Sequence, residues 1–232
     1  MAEKTVLILQ SNYIPWKGYF DLINAADEFV VYDIAQYTKN DWRNRNQIIT
    51  SSGLKWLTIP VNYKYSEKKS INEIHVSNSD WLEQHWELLN HNYCNSLFFS
   101  EIETFIKPLY LNHSNTRLSE INLSFIRLIM DYLNINTEIL QAKDFDLPCG
   151  INEKLVSICK QRNASQYITG PSAKAYLNEE LFTREGIRVI YLNYDGYPAY
   201  PQSISPFENK VSILDLLFNT GKEATNYMIT FK

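Results

Sequence analysis

The apolar run that opens the chain, residues 6–9, ends abruptly in the polar residues Gln10, Ser11 and Asn12. Pro15 and an amphipathic segment follow at once. This order of apolar and polar positions is typical of a buried strand that leads into a helix, with polar groups at the carboxyl end of the strand. In open α/β sheets, ligands bind in the crevice outside those ends. The pattern therefore predicts a binding site here, with an ordinary strand-to-helix turn as the alternative.

A second apolar run covers residues 29–33 and again ends in a polar residue, Asp33. The helix between the two runs closes at residues 25–27, so a strand, a helix and a strand follow one another closely. This succession is the βαβ unit of a parallel sheet. We therefore predict an α/β fold with an open, mainly parallel, Rossmann-like sheet flanked by helices.

Helical periodicity begins at Asp80, which is placed to cap a helix that runs to Tyr93. With two further helices it predicts a helical insertion in the middle third, roughly residues 80–135. No linker or repeat divides the chain, so residues 1–232 are predicted to form a single domain. The remaining predictions are a hairpin (47–50 and 55–61), a mobile charged loop or lid (63–70), helices (101–111, 118–133, 152–160 and 211–218) and strands (166–169 and one ending at 191).

Composition narrows the classes of function. A net charge of -4 argues against non-specific binding to nucleic acid or to a membrane surface. Cys94, Cys149 and Cys159 follow no metal-ligand spacing and are odd in number, as in reduced intracellular proteins. No signal peptide or membrane span is visible, so we predict a cytoplasmic protein without a metal site. The aromatic content of 14% favours a groove for a polar ligand.

The loop after the second strand, residues 35–46, is dense in hydrogen-bonding and aromatic groups. Arg43 and Arg45 flank Asn44, directly after Trp42. Two guanidiniums on an extended loop are suited to grip one phosphate or carboxylate. The alternative is that both arginines pair with nearby acids.

A second polar turn follows the strand at 166–169 and contains Gly170, Ser172 and Lys174. A strand, a glycine and the start of a helix form an anion site because the first backbone N–H groups are free, and Lys174 adds charge. The turn lacks the complete glycine-rich phosphate fingerprint. The alternative is a turn that belongs to a separate helical lobe.

The two polar turns are predicted to converge. The carboxyl ends of parallel strands lie at one edge of a sheet, so residues far apart in sequence become neighbours there. The residues predicted to face this common cleft are Gln10, Asn12, Asp33, Gly170 and Ser172.

Several motifs follow one another along nearly the whole chain. They are residues 10–20, Asp33 with Gln36, 42–46, 56–61, Gly170-Pro171 with Tyr176-Leu177, 197–202 and 211–219. Together they resemble the WbqC-like family of bacterial proteins. One departure is Ser11, which stands where proline is common in that family.

The resemblance implies a role in the synthesis of O-antigen or related surface polysaccharides, since members are found among genes for those polymers. It also implies a glycine (aminoacyl) transferase activity, which has been proposed for the group. The expected acceptor is a nucleotide-linked or lipid-linked amino sugar, and the expected ligand is a small molecule such as a nucleotide sugar, not a nucleic acid. The cofactor is unidentified, and a homo-oligomer is compatible with the sequence.

The opening βαβ unit is also similar to that of nucleotidyltransferase-like α/β enzymes such as pantothenate synthetase. Those enzymes hold the phosphates of ATP with an H-x-G-H turn. Here Trp16 and Tyr19 occupy the two histidine positions while Gly18 is kept, so the architecture can be shared without ATP use. The alternatives to a transferase are therefore an ATP-dependent ligase or nucleotidyltransferase, and a non-catalytic sugar-nucleotide binding protein.

The candidate catalytic base is Asp33 or His85, because only such groups accept a proton near pH 7. His85 and His91 are six residues apart and make a poor metal pair on a helix. The predicted substrate-binding and anion-binding residues are Gln10, Asn12, Tyr13, Trp16, Lys17, Tyr19, Gln36, Trp42, Arg43, Asn44, Arg45, Gly170, Ser172, Lys174, Tyr200 and Gln202.

Overall fold

The computed structural model describes residues 3–111 and 114–231. The strands in chain order are β1 (Thr5–Leu9), β2 (Glu28–Val31), β3 (Arg45–Thr50), β4 (Gly53–Thr58), β5 (Val61–Asn62), β6 (His75–Val76), β7 (Glu138–Gln141), β8 (Gln166–Thr169) and β9 (Arg188–Tyr191). The helices are α1 (Lys17–Asn24), α2 (Asp80–Tyr93), α3 (Phe99–Leu111), α4 (Leu118–Tyr132), α5 (Ile151–Gln161), α6 (Glu179–Arg184) and α7 (Ile213–Thr220).

The centre of the molecule is a five-stranded sheet in the order β7-β2-β1-β8-β9, and every neighbouring pair is parallel. The chain builds outwards from β1 through β2 to β7, then returns to the other side of β1 for β8 and β9. Strand order therefore reverses between β1 and β8, which is where ligands bind in such sheets. The predicted α/β fold with a parallel, Rossmann-like sheet is confirmed.

Both faces of the sheet are buried, as expected from its continuous apolar strands. Alternate residues of β1 point to opposite faces: Leu7 packs in the core on the side of α1, whereas Val6 and Ile8 pack on the side of α5. The larger core contains residues from α1, α2, α3, α4 and α7. The smaller core contains residues from α5 and α6.

A long segment separates β2 from β7. It contains the antiparallel hairpin β3-β4, the short pair β5-β6 and helices α2 to α4. The predicted hairpin and the predicted helices are confirmed. Since α4 supplies buried residues to the larger core, this segment packs on the sheet; its separation as a subdomain stays a prediction.

The structure corrects several boundaries. Strand β2 ends at Val31, so Asp33 lies two residues beyond it, and β7 was not predicted at all. Asp80 is the first helical residue and Ser79 occupies the N-cap position. Ser212 caps α7 by accepting a hydrogen bond from the Leu214 N–H at 3.3 Å. The boundaries differ because a helix or strand ends where its backbone hydrogen-bond pattern stops. Apolar runs in the sequence continue into the packed turns beside it.

The charged stretch 63–70 is mostly exposed and contains a short 3₁₀ turn, Tyr65–Glu67. Its end is tied to the body because the Tyr37 N–H donates to the Lys69 carbonyl at 2.9 Å. Its mobility stays a prediction. Across residues 3–111 and 114–231, every helix is too short or too polar to cross a bilayer. Cys94, Cys149 and Cys159 are free thiols.

Candidate functional site

The polar turns that follow β1, β2 and β8 lie at one edge of the sheet. The parallel register pairs Leu9 with Val31 and Leu7 with Ile168, so the chain leaves all three strands at nearly the same level. Two cavities open beside β1 at this edge, and a third, of about 810 Å³, opens beyond the end of β7. Asn12 lines the first and Gln10 lines the second. The expectation of a single cleft for all five polar-turn residues is thus wrong. Asn12 and Gln10 line different cavities, which the end of β1 separates, and Asp33, Gly170 and Ser172 line neither.

We name the first the Trp42 cavity. Its volume is about 530 Å³, within the range of small-molecule sites. It lies on the α1 side of the sheet edge. The residues that line it are Asn12, Pro15, Trp16, Trp42, Asn46, Tyr194, Asp195, Asn209 and Lys210.

Aromatic rings form most of the wall of the Trp42 cavity. Trp16 packs edge-to-face on Tyr194, with ring centroids 4.9 Å apart. Its ring folds back over Gly18. Any Cβ at that position would overlap the indole, so the packing requires glycine there. On the other side, Trp42 leans on Trp56 at 5.4 Å and stays 40% exposed. Each of these rings is therefore held by a neighbouring ring, and Trp16, Trp42 and Tyr194 line the cavity.

The backbone under this cavity is strained and held in place. Ile14 has a φ of 36°, which is rare for a β-branched residue. The buried Asn46 carboxamide donates to the carbonyls of Tyr13 and Ile14, at 3.3 and 2.8 Å. The Tyr13 N–H donates to the Trp42 carbonyl at 3.1 Å. Strain that is held by surrounding hydrogen bonds is common at ligand sites.

Polar groups complete the Trp42 cavity. The carboxamides of Asn12, Asn46 and Asn209 line it, and the Asn209 Oδ1 is buried without a hydrogen-bond partner among the described residues. Asp195 and Lys210 are exposed at its rim. A buried acceptor without a partner is costly unless a ligand or water satisfies it. The cavity therefore suits a ligand with several hydroxyl or amide donors.

A buried hydrogen-bond network connects the turns after β1 and β2 to the loop that contains Arg43. The Asp33 carboxylate is 2% exposed and accepts from the Ser11 N–H and hydroxyl, each at 2.7 Å, and from the Ser119 hydroxyl. The Asn122 carboxamide donates to the Ser11 hydroxyl at 3.0 Å and to the Arg43 carbonyl at 2.9 Å. Burial raises the pKa of Asp33 although these hydrogen bonds oppose the shift.

The two arginines of the predicted anion grip point to different partners. The Arg43 guanidinium donates to the Asn12 Oδ1 and lies 3.7 Å from the Asp41 carboxylate. The Arg45 guanidinium stacks on the Trp56 ring at 4.2 Å from its centroid. Arg43 borders the Trp42 cavity through Asn12, whereas Arg45 supports its outer wall. Their role in binding an anion stays a prediction.

Several predicted site residues are buried supports. The Tyr13 hydroxyl bonds to His85 Nδ1 at 2.9 Å and to the Tyr110 hydroxyl at 2.7 Å. Burial lowers the pKa of His85 to about 4, so its ring is neutral at pH 7. Neither Tyr13 nor His85 lines the two cavities. The catalytic role predicted for His85 stays untested, and its position in the core favours a structural role.

Lys17, Tyr200 and Gln202 lie outside the cavity linings and contact other parts of the protein. Lys17 is 2% exposed, donates to the Pro198 carbonyl at 3.3 Å and lies 4.5 Å from the Tyr197 ring centroid. Burial lowers its pKa to about 8. Tyr200 and Gln202 donate to the Asp215 carboxylate at 2.7 and 2.9 Å. These contacts anchor the segment that carries the Trp42 cavity wall.

The remaining predicted residues are dispersed. The Tyr19 hydroxyl donates to the Gln10 carbonyl at 3.0 Å and the Asn44 carboxamide donates to the Ile59 carbonyl at 2.8 Å. Neither residue lines the two cavities, and their role in binding stays a prediction. Gly170 lies under Tyr194, whose hydroxyl would be 3.1 Å from a Cβ. Ser172 and Lys174 are exposed and line neither cavity, whereas Gln36 lines the second cavity with Gln10.

Sequence reasoning missed part of both cavities. Tyr194, Asp195, Asn209 and Lys210 line the first, and the available signal was the turn-rich aromatic segment at 194–202. Lys154 lines the second and sits in an ordinary amphipathic helix, so no local signal marks it. In the part of the chain that the structure describes, no three His, Cys, Asp or Glu side chains group closely enough to hold a metal.

The fold is that of an α/β protein with two cavities at the switch point of a parallel sheet. The chain belongs to the WbqC-like protein family, whose model matches residues 10–227. It is 47% identical over 225 residues to the uncharacterized protein Rv1507c of Mycobacterium tuberculosis, with 97% of each chain covered. No solved structure matches.

Proposed function

We propose that this protein transfers an acyl group, in particular an aminoacyl group such as glycyl, to an amino sugar of surface polysaccharide biosynthesis. The observation that carries the proposal is the Trp42 cavity, in which aromatic rings and carboxamides surround one volume at the switch point of the sheet. The acceptor sugar is carried by a nucleotide or a lipid. Family membership is compatible with this role, although the M. tuberculosis relative is itself uncharacterized.

Sugar binding is supported by the chemistry of the walls. The apolar C–H face of a sugar ring packs on Trp16, Trp42 or Tyr194, and its hydroxyl groups bond to carboxamides. The unpartnered Oδ1 of Asn209 accepts one of those hydroxyl hydrogens. Amino and N-acyl substituents on the sugar supply further donors for Asn12.

The transfer joins the sugar nitrogen to the acyl carbon and breaks the bond between that carbon and its activating group. The activated donor is a thioester or ester. A proton leaves the attacking amine as the new bond forms, and a carboxylate within reach accepts it. Asp195 is the carboxylate that lines the Trp42 cavity, so we assign it this role.

Asp33 serves instead as a positioning residue in the proposal. It holds Ser11 and thereby the turn that presents Asn12, and Asn122 extends the same network to the Arg43 backbone. The Arg43 guanidinium is about 15% exposed and already bonded to Asn12, so a phosphate of the carrier next to the sugar reaches it through a small shift.

The decisive experiment is mass spectrometry of nucleotide-linked amino sugars incubated with the protein, an amino acid or aminoacyl thioester, and ATP, with each component omitted in turn. The expected result is an acylated sugar that forms with the activated donor and without ATP. Trp42→Ala and Asn12→Ala should reduce its formation about tenfold or more, and Tyr65→Ala is the matched control on an exposed loop.

Other outcomes separate the alternatives. Product that forms only when ATP is present indicates an ATP-dependent ligase. Tight sugar-nucleotide binding without turnover under any combination indicates a binding protein and contradicts the proposed activity.

A further inference from the structure

The second cavity at the sheet edge has no assigned role, and we name it the Gln10 cavity. Its volume is about 470 Å³. It lies over the ends of β1 and β2 on the side of α5, so the last residues of β1 separate it from the Trp42 cavity. The residues that matter for its chemistry are Gln10, Tyr32, Gln36, Lys154, Tyr167 and Tyr176.

Most polar side chains of this cavity have no hydrogen-bond partner within residues 3–111 and 114–231. Among the described residues, no hydrogen-bond or ion-pair partner is found for the carboxamides of Gln10 and Gln36, the hydroxyls of Tyr32 and Tyr176 or the ammonium of Lys154. Lys154 is only partly exposed, so its unpaired charge lies beside a cavity and not in open solvent. A half-buried cation without an acid nearby favours an anionic ligand.

The aromatic side chains supply a stacking surface. Tyr167 is buried at the floor, and Tyr176 is 55% exposed at the mouth. The Tyr176 segment is fixed to α5, since Asn152 donates to the Tyr176 carbonyl at 3.2 Å and accepts from the Asn178 N–H at 2.9 Å. An exposed ring on a fixed backbone is suited to cover a planar group.

We propose that the Gln10 cavity binds the nucleoside diphosphate part of the substrate, so that the sugar is nucleotide-linked and not lipid-linked. This inference rests on the proposed function. The base stacks on the tyrosine rings, the carboxamides of Gln10 and Gln36 bond to its edge, and Lys154 pairs with a phosphate. The sugar then continues into the Trp42 cavity.

One residue from each lining lies close to the other along the chain. Gln10 and Asn12 are two residues apart, so their Cα atoms lie at most about 7 Å from each other. A diphosphate group spans a gap of this order. Gly170 follows β8 beside the same strand end, and its missing side chain allows the Tyr194 hydroxyl to approach the backbone closely.

A lipid carrier fits this cavity poorly. A polyprenyl chain needs a long apolar surface, whereas the Gln10 cavity has a volume of only about 470 Å³. Its lining also mixes carboxamides and Lys154 with the aliphatic side chains of Ile8, Leu9, Ile34, Ala35, Ile151 and Leu155. Two sources of a nucleoside diphosphate remain, a nucleotide sugar and a free adenine nucleotide, and the experiment separates them.

The test is titration calorimetry of the full chain with UDP, ADP, ATP, UDP-linked amino sugars and the matching sugar phosphates. Nucleoside diphosphates should bind, and a linked sugar should tighten binding. Lys154→Ala and Tyr176→Ala should weaken UDP binding about tenfold or more. Lys222→Ala and Tyr65→Ala, on exposed side chains far in sequence from the site, are the matched controls.

Trp42→Ala distinguishes this inference from the proposed function. It should leave UDP affinity unchanged and remove the gain that the linked sugar provides. If sugar phosphates bind through Trp42 while no nucleotide binds, the inference is overturned and the proposed function stands. If nucleotides bind but a linked sugar adds nothing, the inference stands for the nucleotide and the proposed function fails. A preference for ATP over every nucleotide sugar overturns the substrate assignment.

Discussion

The Trp42 cavity and the Gln10 cavity flank the end of the same strand, but their polar side chains are treated differently by the protein. Around the first, Asn46, Arg43 and Asn12 are engaged with other parts of the chain. In the second, Gln10, Gln36 and Lys154 have no partners among the described residues. We infer that most of the first cavity is shaped before a ligand arrives, with the Asn209 Oδ1 left for the ligand, whereas the second relies on the ligand to satisfy its polar groups.

The largest expected effect tests the preformed side of this comparison. Asn46→Ala leaves the Tyr13 and Ile14 carbonyls without their donor in a buried turn, so we expect a loss of about 3 kcal/mol in the free energy of unfolding. Urea denaturation measures it. Gln36→Ala, on the other cavity, should change stability by less than about 0.5 kcal/mol. Equal losses in the two variants would remove the distinction between the cavities.

Acid should destabilise the folded protein, because the buried His85 is neutral in it. Its pKa is about 4 in the folded protein and 6.5 when exposed, so the unfolded chain binds more protons between these values. Stability should therefore be unaffected above pH 6.5 and fall by at most about 3 kcal/mol as the pH drops to 4. Denaturation of His85→Gln across this range should show a smaller slope than the wild type. His91→Gln, exposed on the same helix, should retain the full slope.

The buried Lys17 should make the stability of the folded protein depend on pH in the alkaline range. Its pKa is about 8 when folded and 10.5 when exposed, so the unfolded chain again binds more protons between these values. Stability should rise as the pH increases from 8 towards 10.5. The rise should be about 1–2 kcal/mol, because the rings of Tyr197 and Tyr200 partly stabilise the charge. Melting of Lys17→Met should lack this rise, and Lys222→Met should keep it.

The smallest effect concerns Gly170, which follows β8 beside the end of β1. Gly170→Ala places a methyl group 3.1 Å from the Tyr194 hydroxyl, which must move by a few tenths of an ångström. We expect a stability change below about 1 kcal/mol and a several-fold weaker affinity for a nucleotide sugar, with UDP affinity retained. Calorimetry compares the two ligands, with Ser172→Ala as the control. A loss of UDP affinity would show that the two cavities are not independent.

The candidate site was predictable where function and local pattern coincide. Gln10, Asn12 and Trp42 stand in polar or aromatic turns directly after apolar runs, and such turns are recognisable without coordinates. His85 and Lys17 have the residue types of a site but are buried, at 5% and 2% exposure, and line neither cavity. Residue type alone does not distinguish these cases, because burial depends on which distant segments pack against the side chain.

The class of fold, the order of most elements and the family follow from the amino-acid sequence alone. Those features depend on local alternation of apolar and polar residues and on short motifs, both of which are encoded over a few positions. Folding in three dimensions determines that Asn12 and Gln10 line different cavities and that Tyr194 and Asn209 join Asn12. It also leaves Lys154, beside Gln10, without an ion-pair partner among the described residues. The physical reason is that parallel pairing of β1 with β8 brings together residues about 160 positions apart, and no local pattern records such a contact.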